Sequence, residues 1–158
     1  MMKQQMKSLV TLLLLMSPAL AQPTVSKGLQ AAHAAIVAKD GVPCAASFDD
    51  AVKVNIRPEL RDKLAPIVAA IRYAENGGKG KEYGILHPRV KPTYRSQAGW
   101  CAATVQKNYD RWVKAGSKGE YIKFLGARYC PVGAKNDPNG LNKHWIKNVT
   151  KFQKRFDG

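Results

Sequence analysis

The chain has 158 residues, of which 45% are apolar, and it carries a formal net charge of +15. This length corresponds to one ordinary domain, and the apolar fraction is large enough for a packed core. The excess of Lys and Arg predicts an anionic partner: nucleic acid, acidic lipid or the acidic polymers of a cell wall. A contribution to solubility alone is the other explanation of the charge.

The segment 1–21 has the three parts of a secretory signal peptide. Lys3 and Lys7 supply the positive start, an apolar run follows from Leu9 to Met16, and Ala19-Leu20-Ala21 offers the small residues that signal peptidase requires. The apolar run is too short to cross a bilayer core of roughly 30 Å, and no later segment is apolar enough to do so. We therefore expect cleavage before Gln22 and a periplasmic or secreted protein without a membrane span; a retained anchor is the alternative.

The segment 22–57 carries no motif and is predicted to be weakly organised. An Ala-rich stretch from Gln30 to Lys39 can form a helix, which Gly41 and Pro43 would end. The segment 58–158 is predicted to form the domain.

The main helix of that domain is predicted to begin at Pro66 or the residue before it, because proline is tolerated in the first helical turn. Ile67 and Ile71 mark its buried stripe, and Glu75 falls on the same stripe. Asn76-Gly77-Gly78 is a typical end of a helix.

The later elements are one short strand and three helices. The strand is Tyr83–Leu86. The helices are one capped by Ser96 that ends at Gly116, one from Glu120 to Tyr129, and a last one that starts at Asp137-Pro138. The expected fold class is therefore mainly α, with a short strand element after the main helix.

Three cysteines, Cys44, Cys101 and Cys130, allow three single bridges, and an oxidising compartment favours pairing. We expect Cys101–Cys130, because both fall on predicted helices of the packed region, with Cys44 left free or used between chains. Such a bridge would stabilise the fold by roughly 3–4 kcal/mol in the chain-entropy description.

Glu75 is the candidate for chemistry. It shares the stripe that faces other protein, and it lies in the last helical turn, where the negative end of the helix dipole opposes another negative charge. Burial and the dipole both raise the pKa of a carboxyl, and a carboxyl that stays protonated near neutral pH can act as a general acid. The alternative is a glutamate at the helix edge, in contact with solvent.

Four sequence segments follow one another in a suggestive order: Ala74–Gly78, Tyr83–Leu86, Phe124–Tyr129 and Leu141–Val149. In this order they resemble the lysozyme-like superfamily, and most closely soluble lytic transglycosylase domains and goose-type lysozymes. Those families have a catalytic Glu at a helix end, a Gly-Leu-Met-Gln-Ile type strand, an Ala-Leu-Ala-Ala-Tyr segment and a closing helix.

The chain also departs from that pattern at two places. Cys130-Pro131-Val132 stands where the family has Asn-Ala-Gly, and Leu86-His87 stands where it has the glutamine of the strand. These departures leave open a rival function, a basic non-enzymatic protein that binds the cell wall or another polyanion on the same fold.

The resemblance implies a lysozyme-like α+β fold and a peptidoglycan-cleaving enzyme, which breaks the β-1,4 bond between N-acetylmuramic acid and N-acetylglucosamine. It implies that Glu75 is the single acid and base, and it places Tyr129 in the cleft; Tyr83 is expected there too, as an aromatic surface for a sugar ring. A lyase that forms a 1,6-anhydro sugar and a hydrolase both remain open. Glu82 is the next acid and a possible second carboxylate, although a solvated loop residue is the expectation.

Other chemistries fit the residues less well. The three histidines are far apart in the sequence, and there is no Cys-x-x-Cys pair, nucleophile elbow or phosphate loop. No metal and no cofactor are therefore expected. The expected partners are peptidoglycan glycan strands and anionic wall or envelope polymers, without nucleic acid.

Overall fold

The structure is a computed structural model that describes residues 26–75 and 77–157. In these two ranges the chain forms six α-helices, two short 3-10 turns and no strand. The helices are α1 (Lys27–Asp40), α2 (Val42–Asn55), α3 (Arg61–Ala74), α4 (Tyr94–Lys114), α5 (Tyr121–Tyr129) and α6 (Trp145–Phe156), and the 3-10 turns are Pro58–Leu60 and Leu141–His144. The mainly α class is confirmed, and the predicted signal peptide lies outside the described residues.

The central element is α3. Every residue from Leu64 to Arg72 is buried, so this helix is covered on all sides rather than along one stripe. Its neighbours are α1, α4 and α6, while α2 packs on α4 and α1. The small side chains of Ala65, Ala69 and Ala70 let these helices approach closely.

The start of α3 differs from the prediction. The helix begins at Arg61, and Pro66 lies inside it. Proline has no N–H, so the carbonyl of Asp62 lacks its helical partner. Gly28 of α1 lies directly against that carbonyl, where a Cβ would clash with the oxygen, and its N–H donates to the Asp62 side chain. α1 therefore packs closely on α3 at the turn that precedes the proline.

The prediction that 22–57 is weakly organised is wrong for the described part. α1 and α2 fill most of it and place Ile36, Phe48 and Val52 in the core. Since α1 packs on α3 and α2 packs on α4, the boundary predicted at Pro58 does not separate two units. The predicted end of the first helix at Asp40-Gly41 is confirmed.

The predicted strand at Tyr83–Leu86 does not form. Gly84 has a φ of +67°, which interrupts an extended backbone. No neighbouring strand pairs with this segment among the described residues, and the side chain of Gln97 on α4 supplies hydrogen bonds instead: it accepts from the N–H groups of Tyr83 and Ile85 at 3.2 Å each and donates to the Ile85 carbonyl at 2.9 Å. The segment is an irregular loop fixed on α4.

Candidate functional site

Glu75 caps the C-terminal end of α3. Its N–H donates to the Ile71 carbonyl at 2.8 Å, as a last helical bond, but its own backbone is extended, with φ −86° and ψ 119°. The chain after Glu75 therefore leaves the helix axis, while the Glu75 side chain continues the stripe of Ile71 and lines a groove at the end of the helix.

The groove consists of three adjoining cavities. The first, of about 250 Å³, lies between the 77–86 loop and the chain after α5; the second, of about 340 Å³, reaches α6; the third, of about 340 Å³, reaches α4. Glu75, Cys130 and Asn142 line both the first and the second cavity, while Gly84 and Tyr129 line both the first and the third. Glu75 is thus central to the groove, and it is the only carboxylic acid among the described residues that line it.

Burial raises the pKa of Glu75 above its ordinary value of 4.5. The indole Nε1–H of Trp145 donates to Glu75 Oε1 at 3.0 Å, which acts in the opposite direction and is outweighed. The direction expected from the sequence is confirmed, and the cause is desolvation.

Gly84 forms the surface against which the carboxyl lies. A Cβ at this position would be 2.5 Å from Glu75 Oε2, closer than side chains approach in proteins. With its positive φ and this contact, position 84 has two separate reasons to be glycine.

Tyr129 lies where it was predicted, in the wall of the groove. Its ring stacks on Trp145 with centroids 5.3 Å apart, and its hydroxyl donates to the Tyr83 carbonyl at 2.7 Å. The hydroxyl is therefore occupied within the protein, and the residue lines the first and third cavities of the groove.

Tyr83 does not line the groove. Its side chain is fully buried, packed edge-on against Tyr94 and hydrogen-bonded to the Tyr94 hydroxyl at 3.0 Å. The predicted substrate contact by Tyr83 is wrong, because its ring is buried against Tyr94 of α4 and is not accessible from the groove. Its role is to support the loop.

Glu82 is neither a solvated loop residue nor a second acid of the groove. Only 6% of it is exposed, and Oε1 accepts from the Gly80 N–H at 2.8 Å. Within the described residues Oε2 has no hydrogen-bond partner. Glu82 lines none of the three cavities.

The predicted Cys101–Cys130 disulfide is not formed, and all three cysteines are free. Successive helical residues point about 100° apart, and it is Tyr129 that faces the buried Cys101 while Cys130 turns to the groove. Burial raises the pKa of the Cys101 thiol to about 12 and that of the Cys130 thiol to about 11.

Sequence reasoning missed three contributors to this site. Trp145 is only 5% exposed, and its N–H donates to the Glu75 carboxyl. Gln97 holds the loop, and Asn142 lines the groove. Trp145 and Asn142 lie in the segment that resembles the closing helix of the family, which was the available signal; Gln97 offered none.

Two further findings concern the described residues alone. No three His, Cys, Asp or Glu side chains come together there as metal ligands, and no helix there has both the length and the hydropathy needed to cross a bilayer. A larger and mostly apolar cavity of about 450 Å³, lined by His33 and Asp49, shares no residue with the groove. No protein family, curated protein or solved structure matches the chain.

Proposed function

We propose that this protein is an exported peptidoglycan-cleaving enzyme, a lytic transglycosylase or muramidase, that uses Glu75 as its single acid and base. The observation that carries the proposal is the Glu75 carboxyl itself: it is desolvated, has a raised pKa, receives the Trp145 N–H and lies midway along an open groove. A raised pKa keeps a larger fraction of the carboxyl protonated near neutral pH, as a general acid requires.

In the proposed reaction, Glu75 donates its proton to the glycosidic oxygen, and the bond to the anomeric carbon breaks. The carboxylate then accepts a proton from the attacking hydroxyl, which is either the 6-hydroxyl of the same sugar or a water molecule. The Trp145 N–H at Oε1 stabilises the carboxylate between the two steps. Because no other carboxylic acid among the described residues lines the groove, the arrangement fits a one-carboxylate mechanism better than the two-carboxylate mechanisms of retaining and inverting glycosidases.

The groove offers suitable contacts for an amino-sugar polymer. The ring of Tyr129 and the stacked pair His87–Trp100, with centroids 4.9 Å apart, provide aromatic surface for sugar rings. The side chains of Asn136 and Asn142 provide amide donors and acceptors for acetamido and hydroxyl groups.

The test is digestion of purified peptidoglycan, followed by mass analysis of the released fragments. Fragments with 1,6-anhydro ends identify a lyase, and fragments with reducing ends identify a hydrolase. Glu75→Gln should lower the rate by about 10²–10⁴-fold. Glu120→Gln is the matched control, since the Glu120 side chain is 68% exposed and lines no part of the groove, and this variant should cleave like the wild type.

A second candidate function is binding without catalysis. Between residues 77 and 109 the only acidic residue is Glu82, which is buried, while Lys79, Lys81, Arg89 and Lys91 accompany the loop beside the groove. A surface of this kind attracts an anionic polymer. Salt-sensitive binding to wall with no fragments released, even by the wild type, would favour this function.

Export is part of the first proposal and has its own test. Cleavage after Ala21 would leave Gln22 as the first residue of the mature chain. N-terminal sequencing of the protein recovered from the periplasm or medium should begin at Gln22. Recovery of the full chain from membranes would support the retained anchor instead.

A further inference from the structure

We propose that the buried ion pair between Asp40 of α1 and Arg72 of α3 is a positioning device that orients the Glu75 carboxyl. Helix α1 would then contribute to the geometry of the site through Asp40. The proposal rests on the catalytic role proposed for Glu75, and its test includes a measurement that does not depend on activity.

Arg72 connects the ion pair directly to Glu75. Its Nη1 donates to the Glu75 backbone carbonyl at 3.1 Å, a group that has no helical partner because α3 ends there. The same guanidinium donates from Nε to Asp40 Oδ2 at 2.8 Å and from Nη2 to Asp40 Oδ1 at 2.7 Å. Two parallel bonds fix the plane of the guanidinium, so the third donor meets the Glu75 carbonyl at a fixed place.

Both partners of the pair are held away from water. The Arg72 side chain is 10% exposed and the Asp40 side chain 11%. A buried ion pair adds little stability compared with apolar side chains of the same volume, because desolvation opposes the attraction. The pair instead fixes the position of the Arg72 guanidinium, which donates to the Glu75 carbonyl.

The hydrogen bonds continue from Asp40 to the other side of the Glu75 carboxyl. The Tyr94 hydroxyl donates to Asp40 Oδ2 at 2.9 Å and lies 3.0 Å from the Tyr83 hydroxyl. Tyr83 precedes Gly84, the residue on which the carboxyl lies. The hydrogen bonds of Arg72 and Asp40 therefore support the site from two sides. One reaches the Glu75 backbone, and the others reach, through Tyr94 and Tyr83, the loop that carries Gly84.

The experiment compares Asp40→Asn, Arg72→Lys and the milder Tyr94→Phe with a control, Asp110→Asn. Asp110 accepts from Arg57 at 2.7 Å in an exposed pair that lines no part of the groove. The first measurement is the indole N–H resonance of Trp145, assigned with Trp145→Phe, because this N–H bonds directly to Glu75. The second is kcat and KM for wall cleavage.

We expect the Trp145 indole resonance to move in Asp40→Asn and Arg72→Lys, to move less in Tyr94→Phe, and to stay in place in Asp110→Asn. We expect kcat to fall by about 10–100-fold in the first two variants, because misplacement of a catalytic group by about 1 Å has effects of this size. KM should stay within about twofold, since none of the substituted side chains lines the groove.

A merely structural pair would lower the melting temperature and leave the resonance of the folded protein in place, and that result would overturn the proposal. If Asp40→Asn and Arg72→Lys do not fold, Tyr94→Phe decides in the same way, because it removes one hydroxyl and keeps the ring. A wild type that cleaves no wall, with the resonance still displaced in the variants, would contradict the catalytic role of Glu75 but retain the positioning role of the pair.

Discussion

The Glu75 carboxyl links the stability of the protein to pH. Burial raises its pKa in the folded state, so the folded protein holds this proton more tightly than the unfolded chain does. Below the ordinary value of 4.5 the group is protonated in both states and does not oppose folding. As the pH rises through the raised value, the ionised carboxyl is increasingly unfavourable in the folded state.

Glu75→Gln should therefore become more stable relative to the wild type as the pH rises from below 4.5 to 7. Lys81 of the loop, Tyr129 of α5, Cys130 and His144 share the groove with Glu75 and are unchanged in the variant. Calorimetric melting of both proteins over this pH range measures the difference. A difference that stays constant, or that grows towards low pH, would contradict the burial of Glu75.

Gly84 gives a second prediction at this scale, because two glycines allow conformation and contact to be separated. Gly84→Ala meets Glu75 at 2.5 Å, whereas Gly133→Ala, at a similar φ of +75°, has no atom within 4 Å. Both variants should lose about 1–2 kcal/mol from the left-handed backbone, but only Gly84→Ala should lose more and also cleave wall slowly. Urea unfolding and the cleavage assay measure the two effects; equal losses would mean that the carboxyl does not rest on Gly84.

Residue-level prediction succeeded where the signal was local. The buried position of Glu75 followed from its spacing to Ile71 along the helix. The prediction for Tyr83 was wrong because a short strand-like segment does not reveal which of its side chains packs on another helix, here against Tyr94 of α4. The contact of the Trp145 N–H with Glu75 joins residues 70 positions apart in the chain, and no local pattern indicates it.

At the scale of elements, the loop after α3 depends on one side chain of α4. Gln97 is 1% exposed and makes three hydrogen bonds to the loop backbone. Gln97→Met keeps the shape and removes the bonds, so it should lower stability by about 2–4 kcal/mol. Amide exchange at Tyr83 and Ile85 should also become faster.

Gln106→Met is the matched control on the same helix. Gln106 is also buried, but it accepts from the Arg57 N–H and donates to Asp110, away from the loop. The Gln106→Met variant should be less stable than the wild type, but amide hydrogen exchange at Tyr83 and Ile85 should not become faster. Equal exchange in the two variants would show that the loop does not depend on Gln97.

The predicted strand at Tyr83–Leu86 shows that the composition of a short segment does not by itself establish a strand. Tyr83–Leu86 has the composition of a short strand, but a strand also requires a partner, and the partner here is a glutamine side chain 12 residues beyond Ile85. Helices α4 and α5 were found in outline because their apolar spacing is self-contained. Their exact bounds depend on caps, such as Thr93, whose hydroxyl accepts from the Ser96 N–H.

For the whole molecule, the free cysteines give a direct prediction. Alkylation of the denatured, unreduced protein should add three groups, and reducing agent should not lower the melting temperature. In the folded protein Cys101 should react most slowly, since it is fully buried and its pKa is raised to about 12. A mass two hydrogens below that of the fully reduced protein, together with only one alkylated cysteine, would show that a disulfide is present.

The prediction that the segment 22–57 is weakly organised was the largest error at this scale. Much of what α1 and α2 bury is alanine, including Ala32, Ala45 and Ala51, which gives a weak hydropathy signal along the chain. The contribution of α1 and α2 to the core is apparent only from the structure, in which they cover α3 and α4. The role of Asp40 depends on Arg72, which lies 32 residues further along the chain, so no local pattern indicates it.

The burial of α3 on every side also couples the folding of helices that are far apart in the sequence. α1 precedes α3 in the chain and α6 follows it, so the apolar run Ile67–Ile71 is fully covered only when both helices have packed on it. A variant that lacks the 12-residue helix α6 would expose this run and be prone to aggregate. We therefore expect α1, α3 and α6 to fold in one cooperative step rather than one after another.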